Sequence, residues 1–249
     1  MEVALIGGCA LRAQGLRSLL EAEGHAPIWI AYTAADARSL CSLHPPARRL
    51  LDFALPDSSG PRLLYRLRLE HPALDGVVIL EDLHPAFLAL AWQAGARAAL
   101  PNGLPLSVLR ERLRAFLEGS ASWSPGTVRA ARGWWTHYGI PWASLSPRQR
   151  AVALGVARGW SDKEIAQALG LRPSSVRTHL NQIRNRLGLV DRVSLRQWMR
   201  MGRLDHPLIA PLLDLEDPPL LREEEVVHGF PALPPKRSLL DRPKAKPTG

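Results

Sequence analysis

The most pointed chemistry lies in PSSVRTHLNQIRNRL, residues 173–187. At helical spacing, Val176, Leu180, Ile183 and Leu187 fall at i, i+4, i+7 and i+11 and form one apolar face. The opposite face carries Ser174, Arg177, Thr178, Asn181 and Arg184. Such a face suits the major groove of DNA. Arginine grips guanine O6 and N7 in bidentate fashion, asparagine grips adenine N6 and N7, and a threonine methyl touches thymine. Two shorter helices must position it. Ser161 caps the nearer one, Glu164 closes a capping box, and Trp160 staples onto Ile165. Gly170 stops that helix, and the turn Gly170-Leu171-Arg172 leads to Pro173 at the first position of the next. Before it, Ser146, Pro147 and Gln149 open another capped helix, which Gly159 ends. A helix, a short turn and a second helix exposing Arg, Thr and Asn make a helix-turn-helix.

Charge agrees with this reading. The 249 residues carry a net charge of +9, and residues 145–204 alone hold 12 basic and 3 acidic residues. Residues 1–118 are balanced at 12 of each, while residues 119–144 add +2 and residues 205–249 contribute −2. Positive charge is thus concentrated where phosphates must be neutralised.

The segment resembles the C-terminal domain of LuxR-type transcription factors. LSPRQR, GWSDKEIAQALGL, SVRTHLNQIRNRLGL and DRVSL carry the match, which spans about 60 residues. The resemblance implies a fourth helix near Arg192–Met201, often used for dimerisation, and base reading by Arg177, Thr178 and Asn181. It implies phosphate contacts near Lys163, Ser174, Ser175 and Arg184. Gln149 stands where the family usually has an acid, and Arg172 where it has a small capping residue.

Strand and helix signals alternate through residues 1–118. Strands are expected at Glu2–Ile6, Pro27–Ala31, Arg49–Asp52, Gly76–Leu80 and Ala98–Leu100. Helices are expected at Ala10–Glu23, Ala34–Leu43, Gly60–Glu70, Ala86–Gln93 and Leu106–Leu117, the first with Leu11, Leu16, Leu19 and Leu20 turned inward. Five β-then-α units argue for a doubly wound five-stranded parallel sheet, which works at the carboxyl ends of its strands. The layout resembles a response-regulator receiver domain, the usual N-terminal partner of this helix-turn-helix in the NarL/FixJ subfamily. GLRSLLEAEGH, LLDFALPDSSGPRLLYRLR and AWQAGARAAL carry that resemblance. It places Asp52 on the phosphoacceptor, with Pro56 and Gly60 on the loop that follows.

The rest of the receiver's chemistry is missing. Gly7-Gly8 replaces the acidic pair that would hold Mg²⁺, Glu81 replaces a Ser or Thr, Asn102 replaces a lysine and Ala99 an aromatic switch residue. Residues 1–118 contain no lysine at all. A divalent ion needs several oxygen ligands, and an unpaired Asp52 near Glu81 sets like charge beside like. Asp52 is therefore a vestigial phosphoacceptor on this reading, an acid that caps or hydrogen-bonds its own loop. Gly7-Gly8 is either a tight turn or room for a small ligand.

Residues 119–144 read as a joint, yet carry Trp123, Trp134, Trp135 and Trp142 with Tyr138. A helix over Gly126–Tyr138 that packs these rings onto its neighbours is expected. Residues 205–249, with nine prolines, read as an extended tail with a short helix near Leu220–Val227. Cys9 and Cys41 lack metal or redox spacing and are expected to be free buried thiols. The eight histidines are scattered, so neither metal binding nor Ser-His-Asp catalysis is indicated. No apolar run reaches 18 residues, and MEVALIGGCALRAQ reads as a first strand instead of a signal peptide.

These observations predict a cytoplasmic transcription regulator, no enzyme, without cofactor or metal. The expected domains are a degenerate receiver at 1–118, a linker at 119–144, a four-helix DNA-binding domain at 145–204 and a tail at 205–249. Expected partners are double-stranded DNA and a second copy of the chain, with RNA polymerase and a small receiver ligand as candidates and no membrane. The alternatives are a phosphorelay regulator switched at Asp52, a pseudo-receiver serving mainly protein interaction, and, less favoured, a sigma-like factor.

Overall fold

A computed structural model describes residues 2–209. The expectations for the proline-rich tail beyond residue 209 lie outside the described residues. The chain opens with β1 (Val3–Ile6), α1 (Ala10–Ala22), β2 (Pro27–Ala31), α2 (Ala34–Leu43), β3 (Arg48–Asp52) and α3 (Gly60–Glu70). It continues with β4 (Asp75–Leu80), α4 (Pro85–Gln93), β5 (Ala98–Pro101) and α5 (Leu106–Glu118). The five strands are parallel in the order β2-β1-β3-β4-β5. The unbroken apolar run of β4, Gly76-Val77-Val78-Ile79-Leu80, is buried throughout, as a central strand covered on both faces requires. One side of the sheet gathers Val3, Leu5, Leu50, Val77, Ile79 and Leu100 against Leu16, Leu20, Leu113 and Phe116.

Local signals set the helix starts. Thr33 Oγ1 accepts the Asp36 N–H (3.0 Å), and Asp57 from the β3–α3 loop takes the Ala34 and Ala35 N–H groups (2.8 and 3.0 Å). One expected contact is absent: Leu11 is 84% exposed. At 100° per residue, α1 buries the sector of Ala13, Leu16 and Leu20, and Leu11 lies on the opposite side of the helix. Cys9 is also exposed, while Cys41 is buried; both are free thiols.

The aromatic joint departs from a single helix. It forms α6 (Pro125–Trp134), a π-helical turn (Trp135–Gly139) and α7 (Ile140–Ser144). Pro141 has no N–H to close an α-helical bond onto the His137 carbonyl. That carbonyl instead accepts from the Trp198 indole at 3.2 Å. The rings pack as expected, and three of the indole N–H groups reach backbone carbonyls. Trp123 donates to Ala96 (2.7 Å), Trp135 to Ala89 (3.4 Å) and Trp134 to Gly202 (2.9 Å). A Cβ on Gly202 would lie 2.5 Å from Tyr138 Cδ1, so only glycine lets the Tyr138 ring lie against this backbone.

The helices α8 (Pro147–Ala157), α9 (Asp162–Leu169), α10 (Pro173–Leu187) and α11 (Arg192–Met201) follow. Capping boxes form at Ser146/Gln149, Ser161/Glu164 and Asp191/Ser194. Gln149 also donates from Nε2 to Gln182 at 3.2 Å, a bond that a carboxylate at 149 could not make. Val152, Val156, Ile165, Val176, Leu180, Ile183, Leu195 and Met199 make the core, with Leu187 only half-buried. Beyond α11 the chain meets the start of α4. Arg203 pairs with Asp82 (3.2 Å), His84 Nε2 bonds the Met201 carbonyl (3.0 Å), and His206 packs edge-on to Phe87. Among the described residues no helix is long and apolar enough to cross a membrane.

Candidate nucleic-acid interface and the acidic end of the sheet

Gly170 ends α9 in the left-handed region (φ 63°), a conformation that costs most residues about 1–2 kcal/mol and glycine almost nothing. The chain then turns into α10, whose apolar face locks onto α8 and α9. Its other face displays Arg177, Thr178 and Asn181, all exposed. Ser174 is exposed one turn earlier, Ser175 is half-buried, and Lys163 stands exposed in the first turn of α9.

The hydrogen bonds differentiate these residues. Arg177 Nε lies 3.5 Å from Asp162 Oδ2, with 72% of its side chain exposed. The Thr178 hydroxyl donates to the Ser174 carbonyl (3.1 Å). Arg184 donates to the Val190 carbonyl (2.9 Å) and to Asn181 Oδ1, which ties it to the loop before α11. Other arginines of the basic segment also hold carbonyls: Arg148 at Leu169, Arg186 at Ser144 and Arg196 at Val156. Part of the positive charge read from sequence thus serves the fold as well. Among the candidate arginines, Arg177 is the one left largely in solvent.

In the sheet domain Asp52 is 2% exposed at the end of β3, level in register with Ile79 of β4. It does not cap its own loop, and it is not unpaired. Arg12 Nη1 lies 2.9 Å from Asp52 Oδ1, and Arg12 Nη2 lies 3.1 Å from Glu81 Oε1. The expected clash of like charges is thereby bridged by a cation from α1. Burial raises the Asp52 carboxyl above the ordinary value, against the Arg12 bond and the Cys9 and Gly8 N–H groups, which favour the anion. At Arg12 burial pulls downward, but the bonds to Asp52 and Glu81 together win and raise it. A Cβ on Gly7 would lie 3.3 Å from Asp52 Oδ2, so β1 brings backbone but no ligand to the acid.

The receiver fold implies a divalent ion here, and these residues do not fit one. Gly7 and Gly8 carry no oxygen side chain, and both nearby acids engage a guanidinium. Among the described residues no cluster of three His, Cys, Asp or Glu could hold a metal.

Arg12 was not among the sequence candidates. A signal existed: it is a cation in the first turn of α1, where the helix dipole disfavours positive charge and no acid or side-chain cap is present.

Comparison with known proteins places this architecture. The model of the luxR family of bacterial regulatory proteins matches residues 143–199. The probable transcriptional regulatory protein NarL of Mycobacterium tuberculosis is 31% identical over 176 residues, which cover 69% of this chain and 80% of the relative. The chain belongs to the luxR family of bacterial regulatory proteins. Its match to NarL is too long for the helix-turn-helix alone, so it takes in part of the sheet domain. The transcriptional regulatory protein UhpA of Salmonella typhimurium is 29% identical over 207 residues, 81% of this chain and 99% of the relative. Salmonella RcsB, solved bound to a promoter with a phosphomimetic, aligns with a TM-score of 0.54 at 18% identity over 81% of this chain and 98% of that one. That likeness shows a shared fold: a parallel five-stranded sheet domain followed by a helical domain.

Proposed function

We propose that the chain is a sequence-specific DNA-binding transcription regulator that acts as a homodimer and needs no aspartyl phosphorylation. The observation that carries the DNA reading is the face of α10. Arg177, Thr178 and Asn181 stand exposed together on the helix that follows the turn, within the segment bearing +9. Arg177, Thr178 and Asn181 read base edges; Lys163, Ser174 and Ser175 position the protein on phosphates. Arg184 stiffens the end of α10 and adds positive charge near the backbone. Solved RcsB in complex with DNA lends support through the shared fold.

The sheet domain is a degenerate receiver. Arg12 supplies the positive charge at Asp52, so a phosphoryl dianion there would have to displace Glu81 and be stabilised without a metal cradle. On this reading residues 1–118 form the receiver-like domain, 119–144 the aromatic joint and 145–204 the DNA-binding domain.

The test is selection of genomic fragments by the unmodified full-length protein at fixed salt, with and without Mg²⁺ and acetyl phosphate. Enrichment of one inverted repeat, unchanged by the phosphodonor, is expected. Enrichment that requires the phosphodonor defeats the phosphorylation-independent reading, and no enrichment in either condition defeats the sequence-specific one.

A further inference from the structure

A cavity of about 380 Å³ opens between α1 and α5, at the carboxyl ends of β4 and β5. Ligand pockets commonly measure about 300–1,000 Å³ and combine apolar walls with a few polar groups. Here Leu19, Ile79, Leu106 and Leu109 form walls, and Leu106 stays 54% exposed. The polar lining comes from Arg12 and Asn102. Gly15 also lines the cavity, and a Cβ built there meets no atom within 4 Å. The helix therefore leaves this space open at the one residue that has no side chain.

Among the described residues, Arg12 is the only charged group of the lining. A guanidinium has five N–H donors. Of its two carboxylate partners, Asp52 is buried, whereas the Glu81 side chain is 61% exposed. The Glu81 pair is the exchangeable one, because an exposed ion pair gains little over water.

We propose that this cavity binds a small amphipathic carboxylic acid. Its hydrocarbon body lies against the leucine walls, and its carboxylate takes the place of Glu81 on Arg12. The exchange keeps two carboxylates on one guanidinium, so no extra negative charge is buried. Glu81 adjoins Asp82 and His84, which hold Arg203 and the Met201 carbonyl beyond α11. Occupancy thus acts on the strand end that carries the contact with the helix-turn-helix domain. The proposal does not rest on DNA binding or on the phosphorylation state.

The test titrates the full-length protein with octanoate, and with octanol as the uncharged counterpart, by calorimetry. Saturable binding of one octanoate per chain is expected, about tenfold tighter than octanol. Gly15→Leu fills the cavity from a helical position that favours Leu over Gly; it should abolish binding while leaving the melting temperature at or above the parent's. Glu81→Gln removes the competing carboxylate and should tighten octanoate binding several-fold, a readout that simple cavity filling does not move. Absence of saturable binding, or binding that survives Gly15→Leu, overturns the proposal. So does a concentration-dependent dimer in sedimentation that Gly15→Leu dissociates while octanoate does not bind, because the groove then belongs to a second copy.

Discussion

Arg12 and Arg177 each face an aspartate, yet the two pairs sit in opposite environments. The Asp52 side chain is 3% exposed and Arg12 lies at 2.9 Å. The Arg177 side chain is 72% exposed and its contact with Asp162 is 3.5 Å long. Burial decides what each pair can do. In the sheet domain the partner is fixed, because separating the charges strands a carboxylate away from water. On α10 the pair is worth at most about 1 kcal/mol, so an incoming phosphate or base edge can replace Asp162. The same chemistry fixes Asp52 on Arg12 and leaves Arg177 able to exchange its aspartate for an outside ligand.

The largest expected effect comes from breaking the closed pair. Arg12→Ala leaves Asp52 buried without its cation and should destabilise the sheet domain by about 3 kcal/mol at pH 7. The sign with pH follows from the raised Asp52 value. A carboxyl raised in the folded state favours folding when protonated, and the loss of Arg12 raises it further. The destabilisation should therefore shrink as pH falls through the carboxylate range, as urea titrations at pH 7 and pH 4 would reveal. An equal loss at both values would mean that Arg12 acts through packing instead of charge.

Opening the exposed side comes next. Arg177→Ala should cost about 1–3 kcal/mol on the selected operator and relax preference at one base pair. Lys163→Ala should weaken all sequences alike and lower the salt slope by about 1. Binding isotherms on the operator and on single-base variants at several salt concentrations separate the two. A uniform loss across sequences for Arg177→Ala would remove it from base reading.

Asp162→Asn probes the comparison more gently. Asp162 holds both Arg177 and Arg192, so the substitution releases Arg177 at little structural cost. The loss of an acid from the first turn of α9 should lower stability by about 0.3–1 kcal/mol. Non-specific DNA affinity should rise a few-fold in fluorescence anisotropy. Unchanged affinity would show that Asp162 does not compete with DNA.

These pairs also mark the limit of what the sequence discloses. Capping boxes at Ser146 and Ser161, the β4 run and the α10 apolar stripe are local patterns, and each corresponds to an observed element. Arg12 pairs with residues 40 and 69 positions away, and no local rule announces such a meeting. The π-helical turn is an intermediate case. Pro141 signals trouble in the helix, but the indole of Trp198 that takes the released carbonyl comes from 61 residues later. Leu11 shows the converse failure: leucine counting filled a helix face that the sheet does not cover. Arg184 is a related case, since charge alone does not reveal that its guanidinium also holds the Val190 carbonyl.

The smallest expected effect lies at the contact between the two regions. His84 Nδ1 accepts the Ala86 N–H (3.2 Å), so its proton sits on Nε2 and is donated to the Met201 carbonyl (3.0 Å). His206 Nδ1 likewise accepts the Leu208 N–H (3.2 Å). Burial, then the positive charge of Arg203, lowers both histidines, against the pull of Asp82 on both and of Asp205 on His206. A histidine lowered in the folded state contributes stability that is complete above its unfolded value, about 6.5. That stability is lost as pH falls through this value toward the folded one. Charging either ring also puts an N–H where each Nδ1 now accepts one. Protection of the Ala86 and Leu208 amides from hydrogen exchange, corrected for the intrinsic rate, should therefore fall between pH 7.5 and 5.5, while the amides of Leu180 and Ile183 in α10 hold. Equal loss in α10 would point to global opening. Constant protection at Ala86 would mean that the contact holds whatever the charge of the rings, through the Asp82–Arg203 pair and the packing around it.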